Sequence, residues 1–173
     1  MSKLTKLLAA PVIVGLASAV VAAAPAVPAQ AATRCTTGNL ALRADPNPGG
    51  GYAGGYYYYL DWKNTGATTC YLGGFPGVSA LGSAYRQLGN PAGRQGGSWQ
   101  AQTFQPGQIH RSQLQVADVG VWGPILCTYA QAYYVKAIPP AGYNGVLAPF
   151  RFSVCRNGGP AAPTPMTTGP IIP

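Results

Sequence analysis

The sequence is poor in acidic side chains, with no glutamate and only three aspartates, Asp45, Asp61 and Asp118. Glycoside hydrolysis usually needs two carboxyl groups about 5 to 9 Å apart, and a hard-cation site needs several oxygen ligands. The aspartates are predicted to lie on two loops and one exposed strand face. Glycine-rich loops between a strand and a helix, which bind phosphates, are also lacking. Neither a carboxylate pair, a metal site nor a cofactor is therefore expected.

Histidine is equally scarce, because His110 is the only one in the chain. A nucleophilic hydrolase needs a serine or cysteine activated by a base, normally histidine, which a carboxylate orients. His110 is predicted in mid-strand beside Ser112, and Leu81 replaces the second glycine that a nucleophile elbow at Gly77–Leu81 would have. The simpler interpretation is a packed strand histidine. We therefore predict a protein that is not an enzyme, with a small extracellular hydrolase using His110 as the alternative.

The first 31 residues have the pattern of a signal peptide. Lys3 and Lys6 precede a stretch without charge from Leu7 to Val27, and Ala29 and Ala31 provide the small side chains of a cleavage site. An anchor helix is the alternative, since about 20 apolar residues can cross a bilayer. We expect cleavage after Ala31, no further transmembrane segment, and a protein that is secreted or located on the exterior of the cell envelope.

The four cysteines all follow the expected cleavage site. An even number in an exported chain predicts two disulfides, whereas the spacings of a zinc site are lacking. Cys127 and Cys155 lie symmetrically about Ala141, so a hairpin that turns there would place them opposite each other. That symmetry favours Cys127 with Cys155 and Cys35 with Cys70 among the three possible connectivities.

Positive charge exceeds negative charge after the cleavage site, with nine basic side chains against the three aspartates. Such a domain is attracted to anionic surfaces, so an anionic envelope polymer or an extracellular protein is a possible partner. The basic residues form no run, and a solvated surface is the other interpretation. Nucleic acid is not expected as a partner of an exported chain.

Short segments of period-two alternation, separated by Gly, Pro and Asn, predict an all-β domain over residues 32–156. The clearest strand is Tyr56–Lys63. We expect Trp99–Phe104 and Ile109–Val116 to form one hairpin, and Tyr129–Ile138 and Val146–Cys155 to form another. Residues 45–55 are expected to be a flexible loop, and residues 157–173 a disordered tail rich in Pro and Gly.

Aromatic side chains are the strongest sign of a binding function. The alternation in Tyr56–Lys63 places Tyr58, Leu60 and Trp62 toward the core, with Tyr57 and Tyr59 on the opposite face. Exposed aromatic rings stack on sugars or enter protein pockets, so Tyr57 and Tyr59 form a possible binding surface. The alternative is that they only pack against a neighbouring strand.

Several segments resemble a family of actinobacterial exported domains of unknown function. They are Cys35-Thr36, Tyr58–Gly66, Cys70–Val78, the Pro106-Gly107 turn and Phe150–Cys155. The family has an Asn-x-Gly turn followed by Cys-x-Leu-x-Gly-Tyr-Pro-Gly-Val, in which Phe75 replaces the usual tyrosine. The resemblance implies an antiparallel immunoglobulin-like β-sandwich and transfers no catalytic residue. We therefore predict a non-enzymatic secreted or envelope-associated module with a binding or structural role.

Overall fold

The computed structural model describes residues 33–45 and 50–173, which belong to one compact unit, Ala31–Pro173. The expected signal peptide, residues 1–31, lies outside the described residues. The chain is mostly β. Its strands are β1 (Thr33–Arg34), β2 (Leu40–Ala44), β3 (Gly50–Tyr52), β4 (Gly55–Asn64), β5 (Cys70–Leu72), β6 (Gly77–Leu81), β7 (Gln87–Leu88), β8 (Gly93–Arg94), β9 (Gln102–Phe104), β10 (Ile109–Ala117), β11 (Tyr129–Ile138), β12 (Val146–Cys155) and β13 (Met166–Ile172). Short 3-10 turns occur at Thr37–Asn39 and Val119–Trp122, and one helical turn, α1, at Gly123–Leu126.

Three sheets result from these strands. The small sheet has the order β1-β5-β9. The six-stranded sheet has the order β2-β4-β10-β13-β8, with β3 paired to β4. The four-stranded sheet has the order β12-β11-β6-β7.

The core lies between the six-stranded and the four-stranded sheets. Alternation in β4 turns Leu60 and Trp62 inward, where neither is exposed to solvent. On β12 the same alternation turns Phe150, Phe152 and Val154 inward, as the sequence predicts. The rings of Tyr58 and Phe150 meet edge to face across the two sheets, with centroids 4.9 Å apart.

Buried polar side chains on the inner face of the six-stranded sheet are hydrogen-bonded in two places. The indole Nε1 of Trp62 donates to the Ser112 hydroxyl at 3.0 Å. The Asn64 amide donates to the carbonyl oxygens of Thr68 at 2.9 Å and Phe104 at 3.0 Å, and its Oδ1 accepts from the Gly66 amide. These bonds offset much of the cost of burying polar atoms.

The predicted hairpin of Trp99–Phe104 with Ile109–Val116 is wrong. β9 pairs with β5, and β10 pairs with β4 and β13. Asn64 explains the change of sheet, because its carbonyl accepts from Gly107 and its backbone amide donates to Gln108. The turn is thereby attached to the end of β4, and the chain passes there from one sheet to another. The other predicted hairpin, β11 with β12, is confirmed with its predicted bounds.

The prediction of a disordered tail over residues 157–173 is also wrong, because Met166–Ile172 is strand β13 in the six-stranded sheet. Asn90 secures the approach to this strand. Its side-chain nitrogen donates to the carbonyls of Gly159 and Ala162, and its Oδ1 accepts from the Gly159 amide at 2.8 Å. The folded domain therefore extends past the predicted end at Arg156.

The predicted loop over residues 45–55 is partly ordered. Gly50–Tyr52 is strand β3, and Tyr52 pairs with Gly55 across a tight turn. A side chain at residue 55 would clash with the Tyr52 ring and the Val116 carbonyl, which explains the glycine there. Residues 46–49 lie outside the described residues.

Candidate binding groove

The outer face of the six-stranded sheet presents aromatic and amide side chains in register. Tyr59 lies opposite Gln113, and Tyr57 lies opposite Gln115. On the other side of β10, Gln115 lies opposite Thr167 of β13. A row of aromatic, amide and hydroxyl groups thus crosses three neighbouring strands.

These side chains line a groove with a volume of about 350 Å³. Its walls and floor are formed by Tyr57, Tyr59, Gln95, Gly96, Gln113, Gln115, Thr167, Gly169, Pro170 and Ile172. A volume of this size is at the lower end of the range for small-molecule pockets. The lining residues come from β4, β10 and β13 and from the segment that follows β8.

A β-bulge shapes the floor of the groove. The register between β10 and β13 shifts between Ser112 and Leu114, so that Gly169 and Pro170 together lie opposite Gln113. Gly169 lacks a side chain, and a Cβ atom there would lie 3.7 Å from the Gln113 Cβ. The glycine leaves space above the strand that a larger residue would fill.

Tyr59 is held in place by a charged pair. The Arg111 guanidinium lies 5.3 Å from the centroid of the Tyr59 ring, and its Nε donates to Asp61 Oδ1 at 2.8 Å. Asp61 is only 8% exposed, although the sequence predicts a water-exposed face there, because Arg111 pairs with it. Arg111 thus both contacts the Tyr59 ring and neutralises the Asp61 carboxylate.

Tyr57 is supported from the other direction. The ring of Tyr52, on β3, packs on it with centroids 5.1 Å apart. Both predicted residues, Tyr57 and Tyr59, are half-buried, and both line the groove. The structure places the two predicted residues together, and whether a ligand binds them stays a prediction.

An amide network forms the opposite wall. The Thr167 hydroxyl lies 2.7 Å from Gln95 Oε1 and 3.0 Å from Gln115 Oε1. A hydroxyl has one proton and donates it to one acceptor. The assignment of oxygen and nitrogen in a glutamine side chain follows from its hydrogen bonds, so this wall can present either donors or acceptors.

Sequence reasoning did not find Gln95, Gln113, Gln115 and Thr167 as groove residues. Gln113 and Gln115 alternate with the inward-facing Leu114, so their shared face could have been inferred. Thr167 lies in the segment predicted to be disordered, and Gln95 follows the two-residue strand β8. Pairing between distant strands brings them together, and local sequence patterns do not encode it.

His110 lies on the other face of the same sheet, in the core. It is 3% exposed, and its ring stacks on Phe104 with centroids 4.1 Å apart. Neither ring nitrogen has a hydrogen-bond partner among the described residues, and burial lowers the pKa of the imidazole. Ser112, the nearby candidate nucleophile, accepts from Trp62 instead.

The aspartates have local roles in separate places. Asp61 pairs with Arg111, and Asp118 caps the turn Val119–Trp122 by accepting from the Gly120 amide at 2.9 Å. The backbone amide of Asp45 donates to the Tyr59 carbonyl. Within residues 33–45 and 50–173, no three His, Cys, Asp or Glu side chains are grouped so that they could hold a metal ion.

The predicted cysteine pairing is confirmed, with disulfides Cys35–Cys70 and Cys127–Cys155. The first links the N-terminal segment to β5, beside the turn that joins β11 to β12. The second joins the start of β11 to the end of β12 at the other end of that hairpin. Only the second bridge therefore cross-links the two strands of this hairpin.

A second concavity, of about 480 Å³, is formed by residues of β11 and β12 and by the end of β2. It is lined by Ala44, Tyr133, Tyr134, Pro149, Phe150 and Arg151. Arg151 lies 4.8 Å above the Tyr133 ring, and Tyr134 stacks on Tyr85. This surface is more apolar than the groove and has fewer hydrogen-bonding groups. In the described part of the chain, no helix is both long enough and apolar enough to span a membrane.

These features define a disulfide-linked β domain with an open groove of aromatic and amide side chains on one sheet face. The chain belongs to the family described as Domain of unknown function (DUF4232), which matches residues 35–170. The match continues past Cys155 into β13, in agreement with the folded position of that strand. No curated protein and no solved structure gives a significant match to the chain.

Proposed function

We propose that this protein is a non-catalytic binding module that acts outside the cytoplasm, and that its ligand contacts the groove around Tyr57 and Tyr59. The observation that carries the proposal is the groove itself, in which two supported tyrosines face a wall of amides across a sheet surface. Fixed side chains bind with less loss of conformational freedom than mobile ones. Arg111 and Tyr52 supply that fixation.

The two disulfides support the proposed location, because disulfides persist in oxidising compartments outside the cytoplasm. The location is tested by intact-mass measurement on protein from culture supernatant and from envelope fractions. We expect a species that lacks residues 1–31. A membrane-bound species that retains Met1 would contradict it.

The fold is proposed to be a variant of the immunoglobulin-like β-sandwich. The packing of Tyr58 on Phe150 between two sheets and the predominance of antiparallel pairing support this. An experimental structure that gave another order for the strands around β10 would contradict it.

The binding role is tested by retention on isolated cell-envelope material. The double variant Tyr57→Ser/Tyr59→Ser should be retained at least about tenfold less than the parent, as expected when two central contact residues are lost. The matched control is Tyr143→Ser, since Tyr143 is 95% exposed and lies outside the groove. Equal retention of the parent and the double variant would overturn the proposed surface.

The hydrolase alternative is tested with the variant His110→Ala on ester, peptide and glycan substrates. The burial of His110, its stacking on Phe104 and the engagement of Ser112 by Trp62 all support a packing role. The binding-module proposal would be contradicted if the parent were active and this variant were inactive while its fold remained intact by circular dichroism.

A further inference from the structure

We infer that the ligand of this groove is an uncharged glycan, an inference that rests on the proposed function of the same site. Three properties of the groove lead to it. They are the absence of charge from its lining, the pairing of ring faces with amides, and the position of the groove on a sheet face rather than at a sheet edge.

The first property is electrostatic. The chain carries 11 basic side chains against three acidic ones, yet among the described residues that line the groove none is charged. The Arg111 guanidinium, which lies 5.3 Å from the Tyr59 ring centroid, is already paired with Asp61 at 2.8 Å. An anionic polymer would find no free cation in the groove wall, whereas burial of a neutral ligand there leaves no charge uncompensated.

The second property is chemical. A sugar ring presents C–H groups on its faces and hydroxyls around its edge, and each hydroxyl both donates and accepts. Tyr57 and Tyr59, two positions apart on β4, are about 7 Å apart and provide ring surfaces. Gln113, Gln115 and the Gln95–Thr167 pair provide donors and acceptors beside them.

The third property separates a glycan from a peptide. An extended peptide commonly binds by adding a strand to an open sheet edge. Here the groove lies on the face of β4, β10 and β13, whose backbone groups are used in pairing with one another. Recognition therefore depends on side chains alone, and a peptide backbone would gain no strand-type hydrogen bonds.

The inference is tested by affinity electrophoresis of the purified full-length protein through gels that contain laminarin, xylan or mannan as neutral polymers, or polygalacturonate as an anionic one. Each gel is run at low salt and at about 0.5 M NaCl, where charges are screened within a few ångströms. We expect retardation by at least one neutral polymer that is unchanged by salt.

Groove variants locate the binding. Tyr57→Leu and Tyr59→Leu remove the ring and keep an apolar side chain, and Gly169→Val fills the groove, since a Cβ at residue 169 meets only ordinary contacts. Each should weaken retardation about tenfold or more. The control Tyr143→Ser should leave it unchanged, and thermal melting of every variant shows whether it is folded.

Retardation only by polygalacturonate that disappeared at high salt would overturn the inference. So would retardation by a neutral polymer that survived all three groove changes, or no retardation by any neutral polymer. In each case the envelope-retention experiment with Tyr57→Ser/Tyr59→Ser reports separately on the proposed function. Loss of envelope retention after protease treatment of the envelope material would replace the glycan by a protein partner and leave the binding module in place.

Discussion

The two faces of the six-stranded sheet are built from alternate residues of the same strands and have opposite properties. On the inner face, Trp62 and Leu114 are completely buried, and the polar Ser112 is satisfied by the Trp62 indole. On the outer face, Tyr59 and Gln113 remain half-buried or exposed and line an open groove. One strand pair thus provides both a stabilising surface and a candidate binding surface.

The outer-face side chains that line the groove are half-buried or exposed, so we expect them to contribute little to the packing of the core. Gln113 is exposed and lies between two buried neighbours, Ser112 and Leu114. A change on the inner face should therefore affect the free energy of unfolding, and a change on the outer face should affect binding. The predictions below test this division.

The largest effect is expected for Trp62→Ala. Removing a completely buried Trp leaves a cavity and a Ser112 hydroxyl without its donor, and should lower the free energy of unfolding by about 3–5 kcal/mol. The matched outer-face change, Gln113→Ala, should alter it by less than about 0.5 kcal/mol. Urea denaturation of both variants measures this. Similar losses in the two variants would contradict the proposed difference between the two faces.

Loss of a disulfide should come next. The Cys35–Cys70 and Cys127–Cys155 bridges have sequence separations of 35 and 28 residues. Such loops correspond to about 3–4 kcal/mol each in the chain-entropy model. Replacing either pair with alanines should lower stability by that amount in urea denaturation. Removal of either pair without loss of stability would contradict this prediction.

A fall in pH should lower the free energy of unfolding of the domain through protonation of His110, which lies on the inner face. Burial lowers the pKa of His110 below its ordinary value of 6.5, so the unfolded chain binds the proton more readily than the folded one. The contribution of His110 to the free energy of unfolding should be fully present above pH 7. It should fall as the pH drops through 6.5, with a slope of at most about 1.4 kcal/mol per pH unit. Urea denaturation between pH 7.5 and 5 measures it.

The control for that prediction is His110→Leu. This change removes the only histidine, whose two ring nitrogens have no hydrogen-bond partner in the described part of the chain. It should remove the pH dependence and leave stability at pH 7.5 within about 1 kcal/mol of the parent. A variant that kept the full pH dependence would show that another group is responsible.

The smallest effect on stability is expected for Asp61→Asn, which breaks the pair with Arg111. The Arg111 side chain is half exposed, so the loss should be below about 1 kcal/mol. Arg111 also lies over Tyr59, so its release should disturb the groove. The loss of binding free energy should therefore exceed the loss in the free energy of unfolding. Parallel measurements of unfolding and of retention on envelope material decide this, and a large loss of stability with unchanged retention would contradict it.

Local sequence patterns predicted what depends on alternation and symmetry. The inward face of β4, the β11–β12 hairpin and the Cys127–Cys155 bridge follow from residues that are close in sequence or symmetric about a turn. Cys35 and Cys70 are the two cysteines that then remain to pair. Tyr57 and Tyr59 were located in the same way. These features need only a period of two and a turn.

The predictions that were wrong concern segments whose structure depends on pairing with strands that are distant in sequence. β13 contains Gly169 and Pro170 in a bulge, which interrupts the alternation of Met166 and Thr168 and resembles a tail. Its order comes from β10 and from the Asn90 side chain, 69 residues from Gly159. The groove could not be predicted because its far wall consists of residues of that strand and of Gln95 and Gly96, which follow β8.

The most direct test of the central claim is to map the bound surface by two-dimensional NMR during titration with a neutral polymer fragment or with solubilised envelope material. We predict that the amide and side-chain signals of Tyr57, Tyr59, Gln113 and Gln115 shift, while those of Trp62 and His110 on the inner face do not. Shifts confined to residues 119–126, or to the residues of the second concavity such as Tyr133 and Arg151, would contradict the assignment of the groove as the binding surface.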